Sequence, residues 1–166
     1  VNSVLLDTSF LICLSDSNRS HHALAKTYFQ RFIAEEITMY LSTIVISEFE
    51  VKQRISSLGL SNFIVLPFNY EDALLTARLF NEMHGNRQES DARVAIKDDA
   101  KILGQCVFAG ITHFATDDDK CVRRMKAVRA GGLATDLPHA IDLHEPFWEG
   151  WFTENNQGNL PFDSNA

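Results

Sequence analysis

The chain has 166 residues, 45% of them hydrophobic and 22% charged, the make-up of one ordinary globular domain able to bury about two-thirds of its unfolded surface. Its formal net charge of −7 is uneven: every Lys and Arg lies at or before Arg129, so residues 1–129 carry 15 basic against 16 acidic groups and the acidity belongs to the tail. The body therefore remains open to a polyanionic partner. Three scattered cysteines without CxxC spacing (Cys13, Cys106 and Cys121) argue against a disulfide framework and for reduced thiols in a cytoplasm. No apolar run reaches membrane-span length, and Asp7 interrupts the N-terminal run, a poor pattern for a signal peptide. The chain begins at Val1 rather than Met, and one or two residues are expected before it.

In chain order, SVLLD reads as a short buried strand, HHALAKTYFQRFIAEE as a helix and ITMYLS as a strand. TIVISEFEVKQRISSL is expected to be a helix stopped by Gly59, NFIVLPF a strand ended by Pro67, and YEDALLTARLFNEMH a helix closed by Gly85. GNRQES is a loop, DARVAIKDDAKILGQCVFAG a long helix, ITHFAT a buried strand, KCVRRMKAV a short helix, and GLATDL a last strand. The alternation predicts βαβ units, a mostly parallel central sheet and an α/β/α three-layer sandwich. We assign residues 1–153 to a single domain and expect 154–166 to be a disordered acidic tail. The run HEPFWEGWF carries Phe147, Trp148, Trp151 and Phe152, which should pack on the body or on a second subunit.

Carboxylates stand at the exits of two strands that should be buried: Asp7, followed by Thr8 and Ser9, and the run Asp117, Asp118, Asp119 after Thr116. In a parallel sheet, functional groups gather beyond the carboxyl ends of the strands. At 100° per residue, Asp99 lies within about 80° of Ala95, Ile96, Ile102, Leu103, Cys106 and Val107, the centre of an apolar stripe; Asp98 is about 100° away. On the earlier helix Glu48 falls among Ile44, Val45, Val51 and Ile55, with Glu50 about 200° round. Inward carboxylates that crowd together repel one another, and a hard divalent cation with oxygen ligands, Mg²⁺ or Mn²⁺, removes that penalty. Simpler roles exist for each: Glu48 pairing with Lys52, Asp99 solvated at a helix edge, Asp117–Asp119 as a helix N-cap. The six histidines have no metal-ligand spacing such as HExxH, and His113 reads as a packed core residue. Lys120, Arg123, Arg124, Lys126 and Arg129 follow the acidic run and offer either phosphate contacts or a solvated helix face.

The pieces LLDTSFLI, LSTIVISEF, DDAKILGQCVFAGI and FATDD, in that order between residue 4 and about residue 121, resemble the PIN-domain family of metal-dependent ribonucleases. The resemblance implies four metal-binding catalytic acids at Asp7, Glu48, Asp99 and Asp118, with Thr8 and Thr116 as lining hydroxyls. Asp98 and Asp117 stand one residue away as substitutes. It implies Mg²⁺ or Mn²⁺ as cofactor and RNA as substrate, and the basic residues beside the acids, Lys120, Arg123 and Arg124, are the expected RNA contacts. Many similar bacterial members are VapC-like toxins, which adds a small antitoxin protein and a homodimer to the expected partners. The alternative is a non-catalytic interaction or RNA-binding module of the same fold. A phosphotransfer receiver, which needs an acid pair after its first strand, and an aspartyl phosphatase, which needs Asp-x-Asp there, fit Asp7-Thr8-Ser9 less well.

Overall fold

A computed structural model describes residues 1–85, 93–132 and 134–153; most of the GNRQES loop and the tail from 154 lie outside them. Five short strands form one sheet: β1 (Ser3–Leu6), β2 (Thr38–Ser42), β3 (Phe63–Leu66), β4 (His113–Thr116) and β5 (His139–Asp142). Their order is β3-β2-β1-β4-β5, and every pairing is parallel. Such pairs need crossovers, which the helices supply: α1 (Thr8–Ser15) and α2 (His22–Ala34) after β1, and α3 (Thr43–Glu50) after β2. The antiparallel-free pattern continues with α4 (Tyr70–Gly85) and α5 (Arg93–Ala109) after β3, and α6 (Asp119–Ala130) after β4. α1 packs with α2 and α3, while α4 packs with α5 and α6. Right-handed crossovers put the first group on one face of the sheet and the second on the other, giving three layers.

The core is the sheet itself with both its faces covered: Val4, Leu5, Leu6, Leu41, Phe114, Ala115 and Ile141 are all sealed. At the crossing of α4 and α5, a Cβ on Gly104 would lie 3.0 Å from Thr76 Oγ1 and 3.1 Å from the Thr76 backbone nitrogen. Only glycine lets the two helices approach so closely. α4 is capped reciprocally: Asn69 N donates to Asp72 Oδ2 at 2.8 Å, and Asp72 N to Asn69 Oδ1 at 3.2 Å.

Three expectations need correction. α1 was not anticipated, because an apolar run that continues from a strand into a helix carries no period to separate them. α3 ends at Glu50 instead of running to Gly59: the Glu50 carboxylate accepts from Ile55 N at 2.7 Å, Arg54 turns extended, and Ile55–Leu58 becomes a separate 3-10 turn that buries Ile55. The last strand is His139–Asp142, paired to β4, and the described part of GLATDL is turn and irregular chain. The aromatic run folds on its own chain. Phe147 stacks against Tyr28 with centroids 4.7 Å apart, Phe152 lies 6.0 Å from Phe32, Trp148 N donates to Tyr28 Oη at 3.1 Å, and Trp151 meets His113 edge-on. His113 is itself buried, as a core residue.

Candidate active site

The order of strands turns back between β1 and β4, so the crevice beyond their carboxyl ends is the switch point of the sheet. Asp7 leaves β1 there and occupies the N-cap position of α1, yet its side chain makes no cap bond. Its Oδ2 instead accepts from Ser9 Oγ at 2.6 Å and from Thr116 Oγ1 at 2.8 Å. The same two hydroxyls accept from the backbone of the next turn, Ser9 Oγ from Asp117 N (2.8 Å) and Thr116 Oγ1 from Asp118 N (3.1 Å). Ser9 and Thr116 thereby stitch the two strand exits together around one carboxylate. Burial pushes the Asp7 carboxyl above its ordinary range; the hydroxyls oppose the shift and Asp118 adds to it.

The other acids arrive from three more elements. Glu48 rides on α3, whose start is fixed by Ser42: Ser42 Oγ accepts from Ile44 N at 3.0 Å and donates to Gln105 Oε1 on α5, while Gln105 Nε2 reaches Leu66 O at 3.2 Å. Thr8 Oγ1 donates to Glu48, whose pKa burial raises, with Asp7 and Asp98 adding repulsion and Lys101 opposing it. Asp99, 17% exposed, sits against the guanidinium of Arg124, itself only 1% exposed. Burial still pushes Asp99 up to about 7, against the pull of Arg124, with Asp7 and Asp118 contributing repulsion. Asp118 caps α6, its Oδ1 accepting from Lys120 N (2.8 Å) and Cys121 N (3.1 Å). The four acids thus feel one another's charge across one crevice, although each is held by a different donor. As they stand, no three of them bring ligand atoms within 4.8 Å of one another.

The neighbouring acids part company with this group. Asp98 turns to Lys101, 2.7 Å away, at the half-exposed edge of α5, and Ala95, expected inward, is exposed. Asp117 is engaged by His21 Nδ1 at 2.5 Å and takes the Cys13 thiol on Oδ2 at 2.9 Å. Arg124 cannot serve as a surface phosphate contact, because its side chain is sealed inside against Asp99. Arg129 is likewise used within the fold, donating to Leu137 O (2.6 Å) and Pro138 O (3.0 Å) ahead of β5. Lys120 is exposed and Arg123 half-buried. Lys120 and Arg19, the latter not foreseen, line a crevice of about 390 Å³ with Ser9, Cys13, Asp117 and Asp118. A larger apolar cleft of about 680 Å³ lies between α6, β5 and the aromatic strap. Size favours that cleft, but of the two only the smaller one is lined by one of the four acids, Asp118, and chemistry decides the assignment.

Sequence reasoning also missed Ser9 as the second hydroxyl on Asp7, for which its place two residues after Asp7 was a usable signal. The partnership of Arg124 with Asp99 had none, since it joins residues 25 positions apart on two different helices.

No family model matches the chain, and no curated protein matches it. Solved structures do. The chain superposes on one from FitAB bound to an IR36 DNA fragment with a TM-score of 0.59 at 16% identity, covering 88% of this chain and 99% of that one. FitAcB from Neisseria gonorrhoeae gives 0.61 at 16% identity (86% and 99%), and VapBC2 from Rickettsia felis, bound to a promoter DNA fragment, gives 0.59 at 13% identity (84% and 98%). The five-stranded parallel sheet and its helical layers thus have their counterparts in these chains, and the protein has the VapC-like PIN-domain fold.

Proposed function

We propose that the chain is a Mg²⁺- or Mn²⁺-dependent endoribonuclease with Asp7, Glu48, Asp99 and Asp118 as its metal-binding acids. One observation carries the reading: burial in a common crevice raises Asp7, Glu48 and Asp99 above ordinary carboxyl pKa values, and Asp118 adds a further negative charge. An all-oxygen donor set under mutual repulsion fits a hard divalent cation. The bound ion would supply charge stabilisation at the phosphoryl oxygens and a more acidic water. The chain's own groups do the rest. Ser9 and Thr116 aim Asp7, Thr8 aims Glu48, and the first amides of α6 hold Asp118 by one oxygen and leave the other for the crevice. Lys120 and Arg19 line a crevice together with Asp118, where positive charge would meet an RNA phosphate.

FitAB and VapBC2 are two-component assemblies on DNA, which supports a small antitoxin-type partner for this chain as well. A homodimer remains part of the proposal, without help from the aromatic run, which is spent on its own chain. A second reading, a non-catalytic RNA-binding module, is favoured by the Asp99–Arg124 pair, which already neutralises one of the four acids.

The test is cleavage of a fluorogenic RNA by the purified chain. Activity that EDTA abolishes, Mn²⁺ restores and Asp7→Asn removes supports the enzyme. RNA binding without cleavage at any Mn²⁺ concentration supports the module, and undiminished cleavage by Asp7→Asn overturns the assignment of the acids.

A further inference from the structure

Asp117 belongs to none of the chemistry proposed above, and its surroundings are of another kind. His21, just ahead of α2, and His144, two residues past β5, both turn toward it, although sequence spacing linked neither to the other. One ligand atom from each of His21, Asp117 and His144 lies within 4.8 Å of the other two, and among the described residues this is the only such group of His, Cys, Asp or Glu. His21 Nδ1 is 2.5 Å from Asp117 Oδ1 and His144 Nδ1 is 3.9 Å from the same oxygen. Asp142, at the end of β5, places Oδ1 at 3.0 Å from His144 Nδ1. The two imidazole rings meet edge-on with centroids 4.8 Å apart.

We propose that His21, Asp117 and His144 form a three-ligand binding site for a borderline divalent transition metal such as Zn²⁺, separate from the all-oxygen crevice, with water as the fourth ligand. Two imidazoles and a carboxylate match the donors that Zn²⁺ takes in sites with three protein ligands, whereas Mg²⁺ prefers oxygen alone. Tetrahedral bonds of about 2.0–2.2 Å set ligand atoms roughly 3.3–3.6 Å apart. The observed separations straddle that range, so side-chain rotation closes the site without moving a strand.

Outer contacts hold the carboxylates of the cluster in place. The Cys13 thiol donates to Asp117 Oδ2 and leaves Oδ1 facing the rings, and Ser9 Oγ fixes the Asp117 backbone at 2.8 Å. His144 N donates to Asp142 Oδ1 at 2.9 Å, holding that carboxylate beside the ring. His21 is 28% exposed and His144 41%, so an ion reaches the site from solvent. The donors come from the start of α2, the exit of β4 and the exit of β5, and an ion would clamp these three segments together.

Zn²⁺ alone is the probe, titrated into the chelator-stripped full chain by calorimetry with excess Mg²⁺ present to occupy the oxygen crevice. One equivalent should bind. His21→Ala and His144→Ala should each weaken binding at least tenfold, and Asp7→Asn should leave it within twofold of the parent. On the unmutated chain, Zn²⁺ should shift the ring NMR signals of His21 and His144 and of no other histidine. Non-saturating binding, unchanged affinity in both histidine variants, or an equal loss in Asp7→Asn overturns the site. The readout is metal affinity, so absence of RNA cleavage would count against the proposed enzyme and leave this result standing.

Discussion

Asp117 and Asp118 leave the same strand one after the other, and their carboxylates enter two environments of different character. Asp118 caps α6 and joins a crevice whose other charged members are Asp7, Glu48, Asp99 and a buried arginine. Asp117 meets two imidazoles and a thiol at the rim. Successive residues of extended chain face opposite ways, so one backbone step suffices to part an oxygen-donor group from a mixed nitrogen–oxygen group. In the crevice, burial holds Asp7, Glu48 and Asp99 toward protonation. The rim cluster is open, and its acids are already paired with potential cations.

The largest expected effect tests the crevice. At pH 8, where Asp99 beside Arg124 is ionised, Arg124→Met takes the partner from a buried carboxylate and should cost about 3–5 kcal/mol in urea unfolding. Adding Asp99→Asn should recover most of that loss. A single-variant cost below about 1 kcal/mol would show that Asp99 is neutral beside Arg124 or is solvated.

A smaller effect should appear in the pH dependence of the EDTA-treated protein. An unfolded Asp ionises near 3.8, whereas burial keeps Asp99 protonated in the folded state to about 7. Between those values the folded state holds the extra proton, so stability falls as pH rises, and the contribution of Asp99 is gone above about 7. Asp7 and Glu48 shift in the same direction. The melting temperature should therefore be lower at pH 8 than at pH 5, and adding Mn²⁺ should narrow the gap. A rise with pH in EDTA would mean that the carboxylates are compensated within the protein.

Next comes Asp118, which has two roles to separate. Asp118→Ala should lose about 1 kcal/mol with the cap, while Asp118→Asn, an equally good cap, should keep its stability. Both should lose cleavage. The smallest effect belongs to Asp98→Asn, which removes a half-exposed pair with Lys101 worth at most about 1 kcal/mol. Mn²⁺ affinity should fall far more in Asp99→Asn than in Asp98→Asn, and equal losses would mean that the inward face of α5 is wrongly assigned.

Much of the crevice was legible in the sequence, for a physical reason. Strand exits and helix faces are local geometry, so Asp7, Glu48, Asp99 and the run Asp117–Asp119 could be placed from periodicity and from the alternation of strands and helices, and the resemblance to the PIN-domain family chose Asp118 within that run. Periodicity failed where an element lacked one. The run SFLIC hid α1, and β5 is four residues with a histidine at its head. It also failed for α3, where a side chain, Glu50, ended the helix by capturing a distant amide. The rim cluster was illegible because its donors are separated by 96 residues between His21 and Asp117, and nothing but the folded topology brings them together. The same holds for Arg124, whose charge suggested a solvated face and whose burial depends on Asp99 across an interhelical gap.

Gly104 lies five residues beyond Asp99 on α5, about 7.5 Å along the axis, where a Cβ would meet Thr76 at 3.0 Å and make its neighbours give by a few tenths of an ångström. That contact works as a fulcrum. A side chain at 104 would lever α5 away from α4 and swing the Asp99 end relative to α6, which carries Arg124. The separation of the buried charge pair is therefore set partly from an uncharged position, and Gly104→Ala is a handle on the electrostatics of the crevice that alters none of its ionisable groups.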